Sequence, residues 1–149
     1  MSLVEQINND MKIAMKSQDK ERLSVIRMLK SAVQLASIEK KHELNDEEVI
    51  DVLSKQIKMR KDSVVEFSKA NREDLMNQYN KEIEILMTYM PQQLSLEECL
   101  KIIDEAIIKI NPTSPKQMGL IMKEVTPSLK GRFDMGEVSK MIKDKLSNL

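Results

Sequence analysis

Apolar residues return every three or four positions along almost all of this 149-residue chain, and nowhere do they alternate with a period of two over strand length. That spacing lines one face of an α-helix, so the chain reads as all-α. Val4, Ile7, Met11, Ala14 and Met15 form a first stripe, and Leu23, Ile26, Leu29, Val33 and Ala36 form a second behind a capping Asp19. A third stripe, Val49, Leu53, Ile57, Val64 and Phe67, opens at Asn45 with Glu48 placed to complete a capping box. A fourth, Leu75, Tyr79, Ile83, Leu86 and Met90, stops at Pro91, because the residue before a proline is pushed out of the α region.

Beyond Pro91-Gln92-Gln93-Leu94, a second Ser-x-x-Glu box (Ser95 to Glu98) opens a fifth helix with Leu96, Leu100, Ile103, Ile107 and Ile110 inward. Asn111-Pro112-Thr113 breaks it. Ser114 then caps a sixth helix with Pro115 at its first position, where the missing N–H costs nothing. Met118, Ile121, Met122 and Val125 face inward there, and Pro127 is expected to disturb the helix. Residues 128–133 read as a linker before a last helix, capped by Asp134 with Glu137 and carrying Val138, Ile142 and Leu146. The expected architecture is a domain of about four helices over residues 1–92 and a three-helix domain over residues 93–149.

The chemistry-bearing residues are few: one His, one Cys and three Gly. A lone His42 cannot build a zinc site of the usual kind and reads as a cation near a helix end. Cys99 reads as a structural thiol, since a nucleophile needs a base and none is placed by sequence. Glu47/Asp51 and Glu82/Glu84 read as solvated surface. Lys55, Lys58, Arg60 and Lys61 cluster on the third helix, with Asp51 and Asp62 close enough to offset them. No phosphate-cradling Gly-rich loop, GxSxG, HExxH or CxxC occurs. Catalytic residues, metal ligands and cofactors are therefore not expected. The twelve Met residues read as flexible core filler rather than as a binding groove.

A single cysteine, an N-terminal stretch unlike a signal peptide and the lack of a long apolar run suggest a cytoplasmic protein that does not enter a membrane. Net charge is zero, but it is unevenly spread. Residues 1–41 carry eight Lys/Arg against five Asp/Glu, residues 42–94 seven against eleven, and residues 112–149 seven against four. In that last stretch Lys116 and Lys123 flank Gly119, and Lys130-Gly131-Arg132 follows. A glycine inside a helix costs about 1 kcal/mol relative to alanine, so Gly119 should permit close approach of either a neighbouring helix or a ligand. Gly131 reads either as a turn presenting two cations or as a plain loop glycine.

The sequence resembles the YqeY-like family, whose C-terminal part is similar to the tail domain of the GatB subunit of tRNA-dependent amidotransferase. The resemblance is carried by Asp10-Met11-Lys12, Ala14-Met15-Lys16, Asp19-Lys20, Arg22-Leu23 and Arg27. It continues through Glu82, Ile83, Leu86, Tyr89-Met90-Pro91-Gln92, Met118-Gly119, Met122-Lys123 and Lys130-Gly131-Arg132-Phe133-Asp134. Met90 and Phe133 depart from the family's more usual Leu and Ala, and neither replaces a charged group. The resemblance implies an N-terminal helical domain joined to a three-helix domain that contacts tRNA or another structured RNA. It also implies an association with carbon–nitrogen ligase activity using glutamine as amide donor, for which no residues are visible here. Lys116, Gly119, Lys123, Lys130, Gly131 and Arg132 are the RNA-binding candidates. The alternatives are a protein-interaction adaptor using the N-terminal helices and an amidotransferase accessory factor.

Overall fold

A computed structural model describes residues 1–148, and among these all regular structure is helical. The chain divides into two compact units, Met1–Met90 and Pro91–Leu149.

The first unit holds α1 (Leu3–Ser17), α2 (Lys20–Lys40), α3 (Asp46–Lys69) and α4 (Glu73–Met87). Local chemistry starts three of them. Ser2 and Glu5 form a capping box on α1, the Asp19 side chain accepts from the Arg22 amide, and Asn45 and Glu48 form a second box on α3. Arg72, before α4, makes no cap and instead pairs with Asp74. With so few glycines, the left-handed residues that end α1 and α2 are Gln18 and Lys41, each at a cost of about 1–2 kcal/mol.

The stripes supply most of the first core. Ile7, Ala14, Ile26, Leu29, Val33, Val49, Leu53, Ile57 and Leu86 are buried, joined by Val25, Leu44 and Tyr89. Met15, expected inward, is half exposed. Tyr89 donates its hydroxyl to Asp10 Oδ2 at 2.6 Å, tying the end of the unit back to α1. Burial and the Asp10 carboxylate together push the phenol above its ordinary range.

The charged residues of α3 and α4 depart most from expectation. Arg60 and Glu82 are only 6% and 8% exposed, with Arg60 Nε 3.3 Å from Glu82 Oε1. Arg60 Nη1 also donates to the Gln56 carbonyl and side-chain oxygen. Glu82 is thus no solvated carboxylate, and Arg60 leaves the surface cluster in which the sequence placed it. The reason is tertiary: α4 packs along α3 and closes over both groups, which then need each other in place of water.

Beyond the end of α2, His42 Nε2 lies 2.9 Å from Glu48 Oε2, and Lys40 Nζ lies 3.0 Å from the same oxygen. Lys40, then the Asn45 amide, then His42 hold the Glu48 carboxyl down to about 2. A carboxyl lowered on folding adds stability above its unfolded value of 4.5, and that contribution is lost as pH falls towards 2. Acid titration of the first unit should therefore show a destabilisation below pH 4.5 that Glu48→Gln reduces, checked by urea midpoints against pH.

The second unit holds α5 (Leu96–Ile110), a 3₁₀ turn (Pro115–Gln117), α6 (Met118–Leu129) and α7 (Met135–Leu146). Ser95 and Glu98 form the expected box, and Asp134 accepts from the Gly136 and Glu137 amides. Ser114 and Pro115 open the 3₁₀ turn, not α6 itself. The core is Cys99, Ile103, Ala106, Ile121, Val125, Leu129, Val138, Ile142 and Leu146, with Phe133 packed against it. Leu96 is exposed, and Cys99 takes an inward place on α5, where burial and then Glu137 raise its thiol.

Two boundaries differ from expectation. α6 continues through Pro127 to Leu129 instead of yielding to a linker. Leu129 continues the Ile121, Val125 stripe and is fully buried, while Lys123, whose carbonyl loses a partner to the proline, is on the wet side. The 91–94 segment belongs to the second unit: Leu94 N–H donates to the Arg132 carbonyl at 2.9 Å.

Candidate nucleic-acid interface

The six candidate residues fall into two groups with different local jobs. Lys130, Gly131 and Arg132 form the turn that ends α6. Lys130 has φ −58° and ψ 124°, Gly131 has φ 77°, and Arg132 N–H donates to the Leu129 carbonyl at 2.9 Å. These dihedrals and that bond describe a type II turn, whose third position needs a positive φ and so favours glycine. Gly131 is therefore explained by backbone conformation.

The turn grips the incoming segment. Gln93 Nε2 donates to the Gly131 carbonyl at 2.7 Å, and Arg132 Nε donates to the Gln92 carbonyl at 3.1 Å. Arg132 Nη1 reaches the Ser128 carbonyl at 3.4 Å. Much of the guanidinium is thus engaged with backbone oxygens, and Lys130 is engaged as well. This turn does not hold out two idle cations.

Lys116, Gly119 and Lys123 present a different picture. With Leu120 and Pro127 they lie three, four, seven and eleven residues apart, which places them along one side of the 3₁₀ turn and α6, and all are exposed. A Cβ built at Gly119 would meet nothing within 4 Å, so helix packing does not account for this glycine. Among the described residues neither the Lys116 nor the Lys123 ammonium has a carboxylate within ion-pair distance. By contrast, Lys109 pairs with Glu124 at 2.7 Å and Lys145 with Asp104 at 2.6 Å. Lys116 and Lys123 are separated by about 10 Å along the axis, with Gly119 and the half-exposed Leu120 between them. This stretch can accept a close-approaching anion without first breaking a pair.

Cys99 is buried in the second unit and His42 lies in the first. Among the described residues no three His, Cys, Asp or Glu side chains gather to hold a metal, and no helix is long and apolar enough to cross a membrane.

The fold defines a two-unit helical protein whose second unit is a three-helix body with Lys116, Gly119 and Lys123 exposed along the 3₁₀ turn and α6. This chain belongs to the YqeY-like family: the family profile described as "Yqey-like protein" matches residues 4–146. It is similar to the protein named "Altered inheritance of mitochondria protein 41, mitochondrial" of Pyrenophora tritici-repentis, 30% identical over 141 residues, covering 91% of this chain and 76% of that one. The Saccharomyces cerevisiae protein of the same name is 30% identical over 125 residues, covering 80% and 68%. That of Kluyveromyces lactis is 40% identical over 84 residues, covering 56% of this chain and 45% of the relative. This chain thus spans under half the length of the last.

These names overturn the cytoplasmic expectation. A single buried thiol fits any reducing compartment, and neither it nor the absence of a long apolar helix distinguishes the cytosol from an organelle interior.

Proposed function

We propose that this chain is a non-catalytic helical protein that binds structured RNA, tRNA first among them, through the Lys116–Gly119–Lys123 face. The observation that carries the reading is the open space above Gly119 between Lys116 and Lys123, two exposed lysines that, like Lys101, Lys140 and Lys143, have no ion pair among the described residues. Lys109 and Lys145 are neutralised by carboxylates and Arg132 is engaged with backbone. Lys116 and Lys123 stay available on either side of a glycine with open space above it. The similarity of this part of the chain to the tail domain of an amidotransferase subunit supports the same ligand.

The mode of recognition follows from composition. There is no Trp, Tyr89 is buried and Phe133 packs against the core, so stacking platforms for unpaired bases are scarce. Contacts fall to phosphates and to the shape of a folded helix, with the Gly131 turn acting as scaffold. Binding of tRNA should weaken with salt, and Lys116→Ala/Lys123→Ala should reduce the slope of log K against log salt by about 1.4–1.8, from roughly 0.7–0.9 per phosphate contact. Filter binding across a salt series checks this. An unchanged slope in the double variant, or no binding at low salt, rejects the reading.

A second reading, a protein-interaction adaptor, is favoured by one observation on the first unit: the outer face of α2 exposes Met28, Leu35 and Ile38. A role as amidotransferase accessory factor would need a catalytic partner. Its test is amide transfer from glutamine by the purified chain.

A further inference from the structure

Arg60 is only 6% exposed, so its N–H donors must find acceptors within the protein. Nε donates to Glu82 Oε1 at 3.3 Å, and Nη1 donates to the Gln56 carbonyl at 3.2 Å and to Gln56 Oε1 at 2.9 Å. Nη2 donates to Met28 Sδ at 3.8 Å and meets no oxygen acceptor among the described residues. A thioether is a weak acceptor. One nitrogen of a buried cation is therefore left with a much poorer partner than the other two.

Met28 is half open to solvent, at 49% exposure, and lines a cleft of about 340 Å³ between α2 and α4. A small oxidant can reach its sulfur by that route. Met15 and Met59 are as exposed, at 51% and 62%, but their sulfurs form no hydrogen bond among the described residues. Arg60 engages one sulfur lone pair of Met28, which leaves the other to react with hydrogen peroxide. That lone pair attacks one peroxide oxygen, the S–O bond forms and the O–O bond breaks. The departing hydroxide takes the proton of the transferred hydroxyl and leaves as water, so sulfur is oxidised and peroxide reduced. The new oxygen is a far stronger acceptor than sulfur. Rotation about Cγ–Sδ, easy for an unbranched side chain, brings it to Nη2, where a charge-assisted hydrogen bond replaces the contact to sulfur.

We propose that Met28 is a peroxide-modification site whose sulfoxide oxygen is captured by the buried Arg60 guanidinium, joining α2 to the Arg60–Glu82 pair of α3 and α4. Methionine oxidation ordinarily loosens a packed protein, because it sets a polar atom against an apolar wall. Here the effect on stability has the opposite sign, since the wall already holds a charged donor short of an oxygen. The site lies within the first unit and does not depend on RNA binding by the second.

The test uses the full chain as wild type, as Met28→Leu and as Arg60→Met/Glu82→Leu, each treated with hydrogen peroxide. Peptide mass spectrometry reads the conversion of each methionine, and tyrosine fluorescence in urea reads the stability of the first unit. Met28 should convert at peroxide concentrations that convert Met59. Its conversion should raise the folding equilibrium constant of wild type about five-fold relative to equally treated Met28→Leu, a fraction of what a hydrogen bond to a charged group supplies. Arg60→Met/Glu82→Leu, which has no guanidinium there, should lose stability on the same treatment. Methionine sulfoxide reductases should return wild type to its starting midpoint. A wild-type midpoint that falls on oxidation, or one that rises equally in Met28→Leu, overturns the proposal. So does a Met28 that stays reduced while Met59 is converted. The comparison with Met28→Leu decides the matter even where the double variant fails to fold.

Discussion

Arg60→Met is expected to destabilise the first unit by about 3–5 kcal/mol, the cost of leaving a carboxylate buried without its partner. Glu82 has one oxygen on Arg60 Nε and a side chain almost wholly withdrawn from water. Removing the guanidinium leaves it to take up a proton or drag solvent into the α3–α4 interface. The double variant Arg60→Met/Glu82→Leu should recover most of the loss, since apolar groups of similar volume need no desolvation. The measurement can be confined to this unit. Both tyrosines, Tyr79 and Tyr89, lie in it and the chain has no tryptophan. Tyrosine fluorescence in urea therefore follows the first unit alone. A single variant as stable as wild type would show that the pair is not buried as described.

Leu129→Ala should have its effect in the other unit. Leu129 is the last residue of α6 and is fully buried among Ile121, Val125 and the α7 residues Val138 and Ile142. Truncating a leucine in such a place costs about 2–5 kcal/mol, depending on how far the surroundings collapse. A body of about 60 residues holds only some 3–5 kcal/mol in reserve, so much of the second unit should be unfolded at physiological temperature. Circular dichroism should show the lost helix while the tyrosine urea transition stays where it was. A wild-type melting profile would contradict the burial of Leu129.

Capping and turn signals were legible from the residues because they act over three or four positions. Asn45 with Glu48, Ser95 with Glu98 and Asp134 with Glu137 each reach only to the next turn of helix. Pro127 misled for the same reason. Its local effect is to lose one hydrogen bond, and only the burial of Leu129 two residues later shows why the helix continues. The RNA-binding candidates divide along this line as well. Charge and glycine placement marked all six. That Arg132 is held by the Gln92 carbonyl, forty residues away in sequence, depends on where the incoming segment lies.

By itself, then, the sequence determined that the described residues fold as helices, where several of those helices begin, and how few His, Cys and Gly residues the chain has. Those properties follow from periodicity, short-range hydrogen bonds and composition. Only the tertiary structure decided which polar groups leave water. It paired Arg60 with Glu82 across 22 positions and Asp10 with Tyr89 across 79, and it turned the Lys116–Gly119–Lys123 side of α6 outward. Burial is a property of what packs over a residue, and packing joins segments whose separation along the chain leaves no local signature.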